Sequence, residues 1–191
     1  MNVEELLRQY RAGKRDFQQV DLAQIILTNT DLSHSDFSHA ILTEADFTES
    51  NLSAATFYQA NLDLSNLSKA KLIQIDLRFA SMQSVLLYKA NLSQAILRQA
   101  NLSQAILQRA FLRQANLSRA ILTGANLQYA NLNEADLTGV DLTGANLDRA
   151  FLQEANLSQA CLDNVDLSQT ILTGATMPDG SVFVARKHQS I

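Results

Sequence analysis

A period of five governs this chain. Every fifth residue from Phe17 to Met177 is Leu, Phe or Met, 33 positions without a break. The series opens Phe17, Leu22, Leu27, Leu32, Phe37, passes through Met82 and Leu112, and closes on Leu172 and Met177. Two residues before each centre runs a second series of small residues. It includes Ala40, Ala45, Ala55 and every fifth residue from Ala90 to Ala135, with substitutes such as Val20, Ile25, Thr30, Ser35, Ile75 and Val165. Between the two lies mostly Asn or Asp, as in Asp31, Asp36, Asn51, Asn101 and Asp136. The last two places are mostly polar, so the unit reads A(D/N)LXX.

Neither regular element keeps such a series inside. Five residues turn an α-helix by about 500°, a net rotation near 140°, which spreads the Leu residues around its surface. A strand of period two flips them to the opposite face at every repeat. A chain that turns a corner once per pentad keeps both apolar series inward, and four such sides close a 20-residue coil. Coils then stack at the inter-strand spacing of roughly 4.8 Å. Helical tandem repeats and leucine-rich repeats need longer periods. With six Gly and one Pro in 191 residues, the corners are turned largely without either. Gly124, Gly139, Gly144 and Gly174 share one slot, after the centre, and form no phosphate-cradling loop.

The ends break the period. Val3, Leu6, Leu7 and Tyr10 fall at helical spacing, with Asn2 as N-cap, Glu5 completing a capping box and Gly13 as the stop. A stacked coil exposes unpaired backbone at both ends, so residues 1–14 read as an N-terminal helical cap over a 15–177 β-helix. In the 178–191 segment, Pro178-Asp179-Gly180 is a turn, Ser181 to Val184 a short strand over the last coil, and Arg186 to Ile191 a loose polar tail.

Several function classes find no support. One Cys, Cys161, excludes an internal disulfide framework and a multi-Cys metal site, and Asp163 and Asp166 disfavour its thiolate. No apolar run spans a membrane, and the N-terminus lacks the apolar core of a secretory signal. His34 and His39, five residues apart, sit on adjacent sides of the coil. We expect no catalytic residues, no metal, no cofactor and no enzyme activity, in a cytoplasmic protein.

Runs such as ANLSQAILRQANLSQAIL (Ala90 to Leu107) and ADLTGVDLTGANL (Ala135 to Leu147) closely resemble the pentapeptide-repeat family, over about residues 15 to 177. The resemblance implies an all-β solenoid, a right-handed quadrilateral β-helix of about eight coils and roughly 40 Å. The ends, MNVEELLRQYRAGKRDF and MPDGSVF, are similar to those of cyanobacterial members, and the start resembles a regulator of heterocyst differentiation. It implies a non-catalytic protein–protein interaction scaffold in cyanobacterial signalling or differentiation. Other members resemble B-form DNA and inhibit or protect DNA gyrase, which is the alternative expectation.

Charge sorts along the chain. From Asp16 to Asp63 there are eight acidic residues and no Lys or Arg; from Lys69 to Arg119, eight basic against Asp76; from Glu134 to Asp179, eight acidic against Arg149. The net charge of −4 hides two acidic ends and a basic waist. Steps of 20 residues give the columns Glu49, Lys69, Lys89, Arg109, Tyr129, Arg149 and Tyr58, Arg78, Arg98. Like charges one coil apart repel by up to about 1 kcal/mol even in water. Folding gains nothing from such a ladder, whereas an acidic partner gains from it. Leu86, Tyr88 and Ile106 stand beside the first column and Phe79 beside the second. Lys69, Leu86, Tyr88, Lys89, Ile106, Arg109 and Tyr129 are therefore expected on one docking face, with Arg78, Phe79 and Arg98 as a second cluster. The competing reading is a solvated charge band that limits association between rods. Outward apolar residues at the Asn/Asp slot, Phe151 and Ile171 among them, form at most a smaller patch. We expect a protein partner, neither nucleic acid nor membrane, and a monomer, with an end-to-end dimer as the alternative.

Overall fold

A computed structural model describes residues 1–184; the tail expected from Arg186 onward lies outside the described residues. Parallel one-residue bridges join residue i to residue i+20, from Asp16↔Asp36 through Asn156↔Thr176. This is the 20-residue coil read from the period. Four faces follow, named by their centres: face 1 (Phe17, Phe37 and on to Met177), face 2 (Leu22 to Leu162), face 3 (Leu27 to Leu167) and face 4 (Leu32 to Leu172). Faces 1 and 3 are opposite sides of the tower.

A ladder pentad with Asn or Asp before its centre accounts for all five of its amides. In the pentad around Leu92, the Leu92 N–H donates to Phe111 O (2.7 Å), the Gln94 N–H to Arg113 O (3.0 Å) and the Ala95 N–H back to Leu92 O (3.0 Å). The Asn91 N–H reaches down to Ala70 O (2.9 Å). The fifth amide, of Ser93, donates to Oδ1 of Asn91 at 3.1 Å. Asn or Asp recurs at that slot because a short side-chain acceptor closes a local turn over the amide two residues on. Ser and Thr after the centre add a second donor, their hydroxyls donating to the same Oδ1, as Ser103 does to Asn101 at 2.6 Å.

The corners sit in left-handed backbone conformation. Among the described residues, twenty-seven non-glycine residues, all two places after a centre, have φ between 53° and 61°. Each costs about 1 kcal/mol relative to a right-handed residue. The ladder and the buried core on either side over-determine the conformation, so the chain turns corners with Gln, Lys and Arg.

The core is one large and one small layer per pentad. Leu centres and Ala of the preceding inward place are almost entirely buried. Phe17, Phe37 and Phe57 stack up face 1 with centroids 5.4 and 5.1 Å apart, and Phe47 meets Phe57 edge-on at 6.3 Å. The expected unbroken interior fails at three centres: Leu162, Leu167 and Met177 are only partly buried. They belong to the last coil, which has no coil above it.

Helix α1 (Val3–Arg11) closes the lower end. The Asn2 carboxamide accepts from the Glu5 N–H at 2.9 Å, as expected of the N-cap. The Glu5 carboxylate turns to Arg8 (2.7 Å) instead of closing a box on Asn2. Leu6 is fully buried, and the Tyr10 hydroxyl donates to Ser33 O at 3.1 Å, tying the helix to the first coils. At the upper end Val182 pairs antiparallel with Thr176, while Gly174 N–H donates to Phe183 O (3.0 Å) and Phe183 N–H to Ala175 O (2.8 Å).

Candidate docking face

The 20-residue register assembles the first column on face 3. Leu86 and Ile106 are bridged neighbours, Leu86 exposed and Ile106 half-buried, with Tyr88 half-buried beside them. Lys69, Lys89, Arg109, Tyr129 and Arg149 occupy successive left-handed corners along one edge of that face.

The column relieves its own repulsion. Lys69 turns down to Glu49, Nζ to Oε1 2.7 Å, and this hydrogen bond raises the ammonium above its ordinary pKa. Lys89 lies 5.2 Å from the Tyr88 ring centroid. Tyr129 stands between two arginines: the Arg109 and Arg149 guanidinium carbons are each 5.6 Å from its centroid, and Arg149 Nη1 donates to its hydroxyl at 2.8 Å. An exposed cation–π contact is worth about 0.5–1 kcal/mol, enough to hold a long side chain flat against the face. The result is an apolar pair rimmed by cations and tyrosines.

The second cluster lies on face 1. Tyr58 meets Phe79 edge-on at 5.6 Å and His39 at 5.7 Å, and Arg78 sits 5.6 Å over the Tyr58 ring. Arg78 is also held by Asp76 at 2.7 Å, which raises its pKa, while Arg98 is exposed. The ten candidate residues thus divide into two patches on opposite sides. One flat partner surface touches only one of them. Face 3 carries the longer cationic run.

A cleft was not foreseen. On face 3 the bridge expected between Asn146 and Asp166 does not form, although the neighbouring bridges Asp141↔Cys161 and Phe151↔Ile171 do. The amides of Leu147, Arg149 and Asp166 therefore lack the ladder acceptors that Leu127, Tyr129 and Asn146 have one coil below. A cleft of about 350 Å³ opens there, between Gly144–Asp148 and the strip containing Asn164, Asp166 and Ser168. Thr170 Oγ1 donates to Leu147 O at 3.0 Å and pins its far end.

Cys161 is half-buried with its Sγ 3.2 Å from Thr143 Oγ1. Among the described residues no group of three or more His, Cys, Asp or Glu converges to hold a metal ion. No described helix is long and apolar enough to cross a membrane.

Comparison with known proteins finds eight copies of pentapeptide repeats, over residues 16–53, 60–99, 86–124, 120–159 and 152–179. Among solved structures, the chain is similar to HetL, a pentapeptide repeat protein involved in heterocyst differentiation regulation from the cyanobacterium Nostoc sp. strain PCC 7120. Identity is 34%, covering 96% of this chain and all of that one, with a TM-score of 0.69. It is also similar in fold to a trypsin-treated form of QnrB1, a plasmid-mediated fluoroquinolone resistance protein, at 18% identity over 86% of this chain and 84% of that one, TM-score 0.79. A search of curated protein sequences finds no match.

Proposed function

The chain belongs to the pentapeptide-repeat family, and on that premise we propose that it is a non-catalytic scaffold that docks an acidic region of a regulatory protein partner on face 3. The family's fold makes its about eight coils a right-handed quadrilateral β-helix. The observation that carries the reading is the column Lys69, Lys89, Arg109 and Arg149 beside exposed Leu86, with acidic bands confined to the two ends. A ladder of cations costs folding energy and favours association with an opposite charge. Aromatic and arginine side chains around a small apolar centre are the composition of interface hot spots. Similarity to HetL supports a regulatory role in cyanobacterial differentiation. The ladder's internal relief at Glu49 and Tyr129 lowers its cost without removing its charge.

Affinity capture from a cyanobacterial lysate tests this. Lys69→Glu/Lys89→Glu/Arg109→Glu should abolish recovery of the partner seen with wild type, and Arg78→Glu/Arg98→Glu, on the opposite face, should not. Equal recovery by all three proteins would remove face 3 from consideration.

A second reading is a DNA mimic acting on gyrase, favoured by the acidic bands from Asp16 to Asp63 and from Glu134 to Asp179. The basic waist interrupts the continuous negative surface that mimicry of a phosphate backbone needs. Inhibition of gyrase supercoiling by sub-micromolar protein would favour this reading over the first.

A further inference from the structure

Where the slot holds a residue other than Asn or Asp, the fifth amide of the pentad loses its local acceptor. The structure contains two remedies and one exception. Gln83 N–H, above Ser81, is taken by Asp63 from the coil below at 2.8 Å, and Gln153 N–H, above Phe151, by Asn133 at 2.9 Å. Among the described residues, no other uncapped amide has an uncapped rung directly above or below it. Face 3 is the exception. Leu86 and Ile106 are consecutive rungs, and neither the Tyr88 N–H nor the Gln108 N–H has an acceptor among the described residues. The rungs beneath and above are capped, Ser68 by Asn66 at 3.0 Å and Gln128 by Asn126 at 3.1 Å.

On capped rungs this amide meets an outward-pointing side-chain oxygen, so on these two it points at the docking face. Two open donors lie one coil apart, about 4.8 Å. They sit beside Leu86 and Ile106 and under Lys89 and Arg109. We infer that this pair of open amides is the anchor for a single carboxylate, an Asp or Glu side chain of a short acidic partner segment. A carboxylate offers two acceptor oxygens and bridges donors at this spacing, and its charge is matched by the flanking cations. The apolar pair takes the neighbouring apolar residue of the segment. Length is limited by charge: Asp46 and Glu49 lie below this site on face 3 and Asp148 and Asp166 above it. Those carboxylates repel a long polyanion such as duplex DNA while leaving a short segment room.

The inference deepens the acidic-docking reading and rests on it. The test is an NMR titration of the ¹⁵N-labelled protein with a capped peptide of about six residues alternating Glu and Val, a probe that presents carboxylates and apolar side chains in extended backbone. The Tyr88 and Gln108 amide resonances should move most. Leu86→Asn/Ile106→Asn restores the family's own cap, keeps every cation and should weaken the peptide by about tenfold or more. The single variants should each lose part of that, and circular dichroism should show them at least as stable as wild type. Phe111→Asn, the same change on face 4, should leave binding alone. If wild type binds but the asparagine variants bind equally, the anchor is refuted while face 3 survives. If wild type does not bind, or Lys69→Glu/Lys89→Glu/Arg109→Glu binds as well, the docking reading fails too. Tighter binding of a duplex oligonucleotide on the same amides would overturn the proposal in favour of a nucleic acid.

Discussion

Truncating one central leucine tests the packing account. Leu102 is fully buried on face 2, between Met82 below and Leu122 above. Its backbone bond to Ile121 O, 2.7 Å, does not involve the side chain, so Leu102→Ala leaves the ladder intact. The change removes three carbons at about 0.8 kcal/mol each and leaves a cavity that Met82 and Leu122, fixed by their own coils, only partly fill. The expected loss is about 3–4 kcal/mol. Ile96→Ala is the matched control, because Ile96 is apolar but occupies the outward slot and is 39% exposed. It should cost under about 1 kcal/mol. Urea unfolding followed by far-ultraviolet circular dichroism reads both, with the midpoint reporting stability and the slope the surface exposed. The inward–outward assignment is refuted if Ile96→Ala costs as much as Leu102→Ala, or if Leu102→Ala costs under about 1 kcal/mol.

Three further outcomes follow from the hydrogen bonds. Asn101→Ala removes the acceptor of the Ser103 N–H (3.1 Å) and Ser103 hydroxyl (2.6 Å) and should cost about 1–2 kcal/mol in the same assay, whereas Asn101→Asp, which keeps both, should cost under about 0.5. The Thr143 hydroxyl, then its N–H, hold the Asp141 carboxyl below its ordinary pKa; the Ser33 N–H leads the same effect on Asp31. A depressed folded pKa adds stability above the ordinary carboxylate value of about 3.9 that is lost as pH falls through the folded value. Asp141→Asn, still an acceptor, should therefore move acid unfolding to lower pH; an unchanged or higher midpoint contradicts the assignment. In the cleft, the Leu147 and Arg149 amides should exchange with solvent at least about tenfold faster than those of Leu127 and Tyr129, and equal protection would mean that the ladder closes there in solution.

Much of this was legible because a five-residue period leaves few geometries. The inward series, the coil of 20 and the columns Lys69–Lys89–Arg109 and Tyr58–Arg78–Arg98 are arithmetic on residue numbers, and the bridges reproduce them. The helical cap was legible from Asn2, Leu6 and Gly13. Three features were not. Left-handed corners at Gln94 or Lys89 carry no glycine to announce them, because the constraint is imposed by ladder bonds on either side. The pairing of Lys69 with Glu49 depends on which way a long side chain turns. The cleft at Asn146–Asp166 arises in a terminal coil whose pentads, around Leu162 and Leu167, match the repeat as well as closed ones do. The open amides of Tyr88 and Gln108 had a readable signal, Leu86 and Ile106 at one slot 20 residues apart. It gains meaning only once Asn at that slot is seen to cap a backbone donor.

Site-directed photo-crosslinking tests the docking assignment most directly. A benzophenone amino acid replaces Tyr88 on face 3 in one protein and Tyr58 on face 1 in another, so both substitutions exchange one aromatic for another on opposite sides of the tower. Face 3 docking predicts adducts from position 88 alone. Mass spectrometry should map them to an Asp- or Glu-rich segment of one partner, with yield falling as ionic strength rises. Adducts from position 58 alone, or segments from position 88 that carry no acidic residues, would contradict the account.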